Sequence, residues 1–264
     1  AMTEALAIGR DRLALAERLA DTARRLALAH WRSRLDVESK ADSTPVTIAD
    51  RGIETELRAL IAEAEPQATI LGEEFGSGAP SESRGDLWVL DPIDGTGAFV
   101  TGSPLFGSLI GFVVEGAPVL GVIEVPVLGE RWTALRGDGA RLNGRRCAVS
   151  GVRRLGEATL GATSPLIFAE AERERFGDLS RRAALTRFGG DCYAYALVAS
   201  GHLDLVVEAG LKPYDYLPLV PVLEEAGGVM TDWAGRALGL ASDGRVIAAA
   251  SPALHAEALE VLGA

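Results

Sequence analysis

Leu87-Trp88-Val89-Leu90-Asp91-Pro92-Ile93-Asp94-Gly95-Thr96 is the stretch on which the reading of this chain turns. Its four leading apolar residues have the length and composition of a buried strand. The run stops on Asp91. Pro92 stiffens the exit and removes a backbone donor, and Gly95 permits tight backbone geometry and close approach of a ligand. Two carboxylates on a stiff turn beside free N–H groups can hold hard cations and a phosphate together. Isolated aspartates are mostly helix caps or turn residues. Asp91 and Asp94 fit that account poorly, because the turn gathers charge where nothing structural requires it.

Three more acidic positions share this setting. Asp50 follows Pro45-Val46-Thr47-Ile48-Ala49, Glu73 closes the short strand Thr69 to Leu71, and Asp215 stands in Lys212-Pro213-Tyr214-Asp215 at a helix start. Asp50 or Asp215 alone reads as a cap. Five such carboxylates together form an oxygen-only ligand set, which selects Mg²⁺, Mn²⁺ or Ca²⁺ over zinc.

The chain has 264 residues, 48% apolar and 24% charged, enough for a sizeable core in one large domain or two small ones. Its net charge of −11 leaves no basic stripe to neutralise phosphates, which argues against a nucleic-acid partner. A small phosphorylated substrate remains compatible, since bound cations reverse the local field. Cys147 and Cys192 allow at most one disulfide and no zinc–cysteine site, and a reducing cytoplasm is the simplest setting. The first 34 residues alternate charge with Ala and Leu, unlike a secretion signal. Ala1-Met2 reads as a cloning remnant. Leu105 to Val114 is about half the length of a membrane span, so no membrane partner is expected.

The pattern predicts a long helix over 4–35, turn formers at Asp42-Ser43-Thr44-Pro45, and a second helix from Asp50 to Glu65. After the strand at 69–71 comes a mobile loop from Gly76 to Gly85, then the 87–90 strand and its turn. A three-strand meander follows from Leu105 to Leu135, with turns at 137–139 and Asn143-Gly144. Near Ser150 strands and helices begin to alternate. Strands are expected at 159–162, 184–188, 203–208, 229–231 and 246–250, and helices at 166–183, 191–200, after Asp215 to Ala226, and 252–262. Residues 1–150 then form an N-terminal α+β half carrying the metal-binding turn. Residues 151–264 form a C-terminal α/β half completing the substrate site, within one compact unit. His30, His202 and His255 lack companions at motif spacing and read as structural or surface residues. Cys192 reads as a buried cysteine. Tyr193 and Tyr195 point to different faces, one toward a pocket and one into packing.

In its order of Glu73, the Asp91 turn and Asp215, the chain resembles the inositol monophosphatase family. Trp88 to Thr96 matches the family's central motif residue for residue, and the likeness runs from Pro45-Val46-Thr47 to Asp215-Tyr216 and Glu225-Ala226-Gly227-Gly228. The resemblance implies an α+β, layered αβαβα sandwich of the inositol monophosphatase / fructose-1,6-bisphosphatase type. It also implies a homodimer and a phosphomonoesterase using two or three Mg²⁺, with Mn²⁺ as a substitute and Li⁺ as an inhibitor. Glu73, Asp91, Asp94, Asp215 and the Ile93 carbonyl are then the expected metal ligands. Asp50 and Thr96 are the expected pair orienting the attacking water and, with Glu73, the catalytic residues. Asp94 and the backbone N–H groups of Gly95 and Thr96 are expected at the phosphate. Two departures stand out: Tyr214-Asp215 where the family usually has Trp-Asp, and Gly97-Ala98-Phe99 after the central motif.

Gly102 to Ile110, Phe188 to Tyr195 and Gly210 to Tyr216 look like the family's histidinol-phosphatase branch. That branch hydrolyses L-histidinol phosphate at the penultimate step of histidine biosynthesis. Asp191 and Glu208, with Arg187 near the same rim, are the expected contacts to the organic part of the substrate; an amino group and an imidazole both welcome a carboxylate. Inositol 1-phosphate and a broad range of sugar phosphates are the alternative substrates. An adenosine bisphosphate would need a base-binding surface that is not evident. A non-catalytic metal- or phosphate-binding protein on this fold would have lost Asp50 or Thr96, and both are present.

Overall fold

The structure is a computed structural model and describes residues 2–33, 37–39, 45–77 and 85–263. The turn expected at Asp42-Ser43-Thr44 and most of the loop expected from Gly76 to Gly85 lie outside these residues. The first part of the chain forms helices α1 (Met2–His30), α2 (Ile48–Ala64) and α3 (Thr96–Thr101). Its strands are β1 (Val37–Ser39), β2 (Pro45–Thr47), β3 (Thr69–Gly72), β4 (Gly76–Ser77), β5 (Leu87–Asp94), β6 (Gly107–Val114), β7 (Ala117–Val125), β8 (Glu130–Leu135), β9 (Gly139–Leu142) and β10 (Arg145–Arg146). The rest forms β11 (Thr159–Ala162), α4 (Glu170–Arg182), β12 (Leu185–Phe188), α5 (Asp191–Ala199), β13 (Leu205–Glu208), α6 (Pro213–Tyr216), α7 (Leu219–Glu225), β14 (Val229–Thr231), β15 (Val246–Ala249) and α8 (Pro252–Leu262).

These elements stack as five layers. Helix α1 buries Ala16, Ala20, Ala23 and Ala27 beside Leu15 and Leu19, and α2 buries Ile53, Leu57 and Ile61. Those stripes recur at helical spacing, and the small alanines let the helices lie close to the sheet. Both helices cover one face of an eight-stranded sheet ordered β10-β9-β8-β7-β6-β5-β3-β4. On its other face lie α5 and α7, packed through Tyr195, Val198, Leu219 and Leu223. Beyond them is a five-stranded sheet ordered β12-β11-β13-β15-β14, whose outer face is closed by α4 and α8 around Phe168, Phe176 and Leu254. This is the expected αβαβα sandwich, and β6, β7 and β8 are the expected antiparallel meander. Asn143 (φ 48°) and Gly144 (φ 78°) join β9 to β10 in the left-handed pair that a two-residue hairpin needs.

Several boundaries differ from expectation. Helix α1 ends at His30 rather than 35: Arg32 turns left-handed (φ 56°) and donates to the Gly102 carbonyl at 3.0 Å. The helix expected over 166–183 is split. Ser164 caps a single 3₁₀ turn, Pro165–Ile167, and Phe168 drops into the core against Phe176 and Trp233, so α4 begins only at Glu170. The strand expected from 203 begins at Leu205. The helix expected after Asp215 is two short helices with Leu217 and Pro218 between them. Helix α3, six residues long, is too short to show a period and was not expected.

Both cysteines are free, and Cys192 is buried. Tyr195 is buried with its hydroxyl on Glu208, whereas Tyr193 packs edge-on to Trp132 at 6.0 Å, so the two do part company as expected. His255 is structural, sharing a 2.7 Å hydrogen bond with Thr231. Among the described residues, no helix is long and apolar enough to cross a membrane.

Candidate active site

Strands β3 and β5 are parallel neighbours, with Gly72 paired to Leu90, so Glu73 and Asp91 leave adjacent strand ends side by side. The Glu73 N–H donates to the Leu90 carbonyl at 3.2 Å. Strand β5 does not stop at Leu90; it continues to Asp94, but its register against β6 shifts between Asp91 and Asp94. A bulge of this kind re-aims side chains at a strand end. It is held from β6, where the buried Ser108 hydroxyl donates to the Pro92 carbonyl at 2.6 Å. Gly95 then takes a left-handed conformation (φ 80°), and α3 starts at Thr96. The Thr96 hydroxyl donates to the Ile93 carbonyl at 3.0 Å.

Asp215 arrives on α6, whose start is set by Pro213, and its Oδ2 accepts the Lys212 N–H at 2.7 Å. Carboxylate oxygens of Asp91, Asp94 and Asp215 come within 4.8 Å of one another. Asp50 is fully buried in the first turn of α2. Asp94 Oδ2 accepts the Cys192 N–H at the start of α5, at 2.6 Å. Asp191 precedes it in a left-handed conformation (φ 44°), and a Cβ added to Gly95 would come within 3.2 Å of the Asp191 side chain. The glycine is what lets the turn after β5 and the start of α5 meet. Glu208 ends β13, buried, and accepts from the Thr163 N–H at 2.7 Å and the Tyr195 hydroxyl at 3.1 Å.

Asp94, Asp191, Tyr195, Glu208 and Asp215 line one pocket with Ile167, Leu211 and Leu219, and among the described residues no Lys or Arg lines it. Arg187 is exposed on the edge strand β12, outside that lining. Ser108, Thr163, Tyr195 and the Cys192 N–H were not anticipated in supporting roles. Three of those contacts use backbone groups, which no side-chain pattern announces.

Burial dominates the electrostatics. It raises Asp91 well above the usual carboxylate range, with Glu73, Asp94 and Asp215 adding repulsion. Asp94 is raised well above that range by burial and then by Asp191 and Asp215. Burial also lifts Asp215 to about 7, Glu208 to about 7 and Asp191 to about 6. Among the described residues, Asp91 Oδ1 is buried without a hydrogen-bond partner. An orphaned buried oxygen in a set of mutually repelling carboxylates lacks positive charge, and an all-oxygen donor set fits a hard divalent cation.

An αβαβα scaffold with clustered carboxylates at a strand end is compatible with metal-assisted phosphate chemistry. The chain belongs to the inositol monophosphatase family, whose profile matches residues 10–263. It is 41% identical over 256 residues to the chloroplastic bifunctional phosphatase IMPL2 of Arabidopsis thaliana, covering 94% of this chain and 74% of that one. It is 38% identical over 263 residues to the histidinol-phosphatase of Mycobacterium tuberculosis, covering 96% and 98%. The solved structure of an inositol monophosphatase from Zymomonas mobilis matches with a TM-score of 0.88 at 42% identity, covering 97% of this chain and 98% of that one. The chain is thus a phosphoric monoester hydrolase of a metal-dependent family that acts on small phosphorylated substrates.

Proposed function

We propose that this enzyme hydrolyses L-histidinol phosphate to L-histidinol and phosphate with Mg²⁺. The observation that carries the reading is the pocket wall. Asp191 and Glu208 border the same space as Asp94 and Asp215, and among the described residues no cationic side chain borders it. Once cations neutralise the phosphate side, what remains is an acidic wall suited to a cationic leaving group. An amino group and an imidazolium are matched there by charge-assisted hydrogen bonds. A second phosphate, as in fructose 1,6-bisphosphate or adenosine bisphosphate, would face the Asp191 and Glu208 carboxylates, with no cation opposite it among the described residues.

In this reading Glu73, Asp91, Asp94, Asp215 and the Ile93 carbonyl hold the metal. Bound Mg²⁺ supplies positive charge against the phosphate and acidifies a coordinated water. Asp50 accepts a hydrogen bond from the attacking water. Thr96 already donates to Ile93, which leaves its oxygen free to accept from that water. The N–H groups of Gly95 and Thr96 hold the phosphate oxygens, and Asp191 and Glu208 orient the leaving group, with Arg187 at the outer rim. A homodimer belongs to the same reading, and exposed Leu166, Leu185 and Phe188 offer apolar surface for it. Two free cysteines suit a cytoplasmic setting.

The test is phosphate release with Mg²⁺ from four esters: histidinol phosphate, inositol 1-phosphate, fructose 1,6-bisphosphate and adenosine bisphosphate. Histidinol phosphate should give the highest kcat/KM, EDTA should abolish the activity, and Li⁺ should inhibit it. A clear preference for any other ester overturns the substrate assignment. Replacing Asp191 by Ala separates recognition from chemistry. Losing a charge-assisted hydrogen bond costs about 1.5–3 kcal/mol, so KM for histidinol phosphate should rise roughly 10- to 100-fold. KM for an aryl phosphate, which has no cationic group, should change far less. Equal losses on both substrates would remove the case for Asp191 as a selector.

A further inference from the structure

We propose that Glu54 is a positioning residue for the metal site, fixing the turn that presents Glu73. The inference rests on the reading of Glu73 as a metal ligand. Glu54 stands on α2 one turn beyond Asp50 and is wholly buried, at 0% exposure. Its Oε2 accepts the Glu74 N–H at 2.7 Å. Its Oε1 accepts the Arg58 guanidinium at 2.7 Å and, at 3.4 Å, the Phe75 N–H. Arg58 in turn donates to the Gly76 carbonyl at 2.6 Å. One carboxylate–guanidinium pair thereby grips three successive residues of the β3–β4 turn.

The backbone is anchored on both sides of Glu73. Before the side chain, the Glu73 N–H is tied to Leu90 on β5, the residue preceding Asp91. After it, Glu74 and Phe75 are tied to Glu54 on α2, the helix that carries Asp50. Gly72 completes the device, because a Cβ added there would fall on the Glu54 carboxylate. The simpler description is an i,i+4 helix pair, which at a surface contributes only a few tenths of a kcal/mol. Burial rules that description out. A buried charge persists only when paired and fully hydrogen-bonded, and here Glu54 bonds the turn at Glu74 and Phe75 as well as Arg58 along the helix. Glu73 is thus delivered toward Asp91, a like charge, by a backbone that cannot retreat. Fixing a ligand's backbone before the cation arrives removes an ordering cost from binding.

The experiment is calorimetric titration of EDTA-stripped protein with Mn²⁺, read beside steady-state kinetics at saturating Mg²⁺. Glu54→Gln keeps the shape but loses the charge and one acceptor, and should weaken Mn²⁺ binding about tenfold, the usual scale for groups behind a ligand. At saturating Mg²⁺ its KM for the phosphate ester should equal that of the unaltered enzyme. Gly72→Ala, which displaces the carboxylate while leaving Glu54 in place, should weaken Mn²⁺ binding in the same way and serves if Glu54→Gln fails to fold. Mn²⁺ affinity unchanged in either folded variant overturns the proposal. Glu73→Gln is run alongside: if it too binds Mn²⁺ normally, the ligand assignment falls, whereas weakened binding in Glu73→Gln alone overturns only the role of Glu54.

Discussion

Asp91→Asn should lose about three orders of magnitude or more in turnover while remaining folded. The substitution is nearly isosteric, so packing at the end of β5 is preserved. What disappears is one negative charge from a group of carboxylates that burial and mutual repulsion already hold above their usual range. Without metal that loss is a relief. The stripped variant should unfold at a urea concentration equal to or above that of the stripped parent. With Mg²⁺ the order should reverse, because the parent gains stability from the ion and the variant gains little. Parallel unfolding curves with and without Mg²⁺, together with phosphate release, check both halves. A folded Asp91→Asn protein with ordinary turnover would end the metal-site assignment.

Gly121→Ala should be the most damaging of the single-methyl additions in the sheet. Gly121 on β7 and Gly111 on β6 are cross-strand partners, and Pro218 lies directly on them. A Cβ at position 121 would strike the Pro218 carbonyl, and one at 111 would come within 3.1 Å of the Pro218 Cα. Backbone cannot swing aside as a side chain does. Overpacking of this kind typically costs about 1–3 kcal/mol, and the upper end is expected here, well beyond the small gain from a less flexible unfolded chain. Pro218 follows α6 by two residues, so the link that brings Asp215 to the end of β5 would be lifted as well. The urea midpoint should fall, and the Mg²⁺ concentration for half-maximal activity should rise. A midpoint equal to the parent's would show that the α6–α7 link yields without cost.

The two positions also mark what a single sequence discloses. Asp91 to Thr96 could be read directly, because strand end, stiff turn and paired carboxylates are contiguous. Asp50 and Asp215 could be read only once that turn was known, since each alone passes for a cap. The layered fold followed from the family likeness; the alternation of elements after residue 150 gave only the order of strands and helices there. Glu54 could not be read. A glutamate four residues before an arginine on an amphipathic helix looks like a solvated pair, and only the arrival of the β3–β4 turn makes it buried. Nothing in the pattern marked Gly111 and Gly121; their reason lies about a hundred residues away in Pro218. Helix α3 was hidden by its shortness, and the split before α4 by Phe168, whose pull into the core outweighs the helical pattern around it.

The bond from the Cys192 N–H to Asp94 bears on any attempt to change what the enzyme accepts. Asp191 and Cys192 share a peptide unit, so the residue expected to choose the substrate is joined through one bond to a residue expected to hold the metal. A change that shifts the start of α5 will register as slower hydrolysis of every ester, masking any gain in preference. Glu208 reaches the same space from the other sheet, where its carboxylate accepts from Thr163 and Tyr195. Laboratory evolution toward new leaving groups should therefore accumulate its first useful substitutions around Glu208, with the 191–192 backbone left as it is.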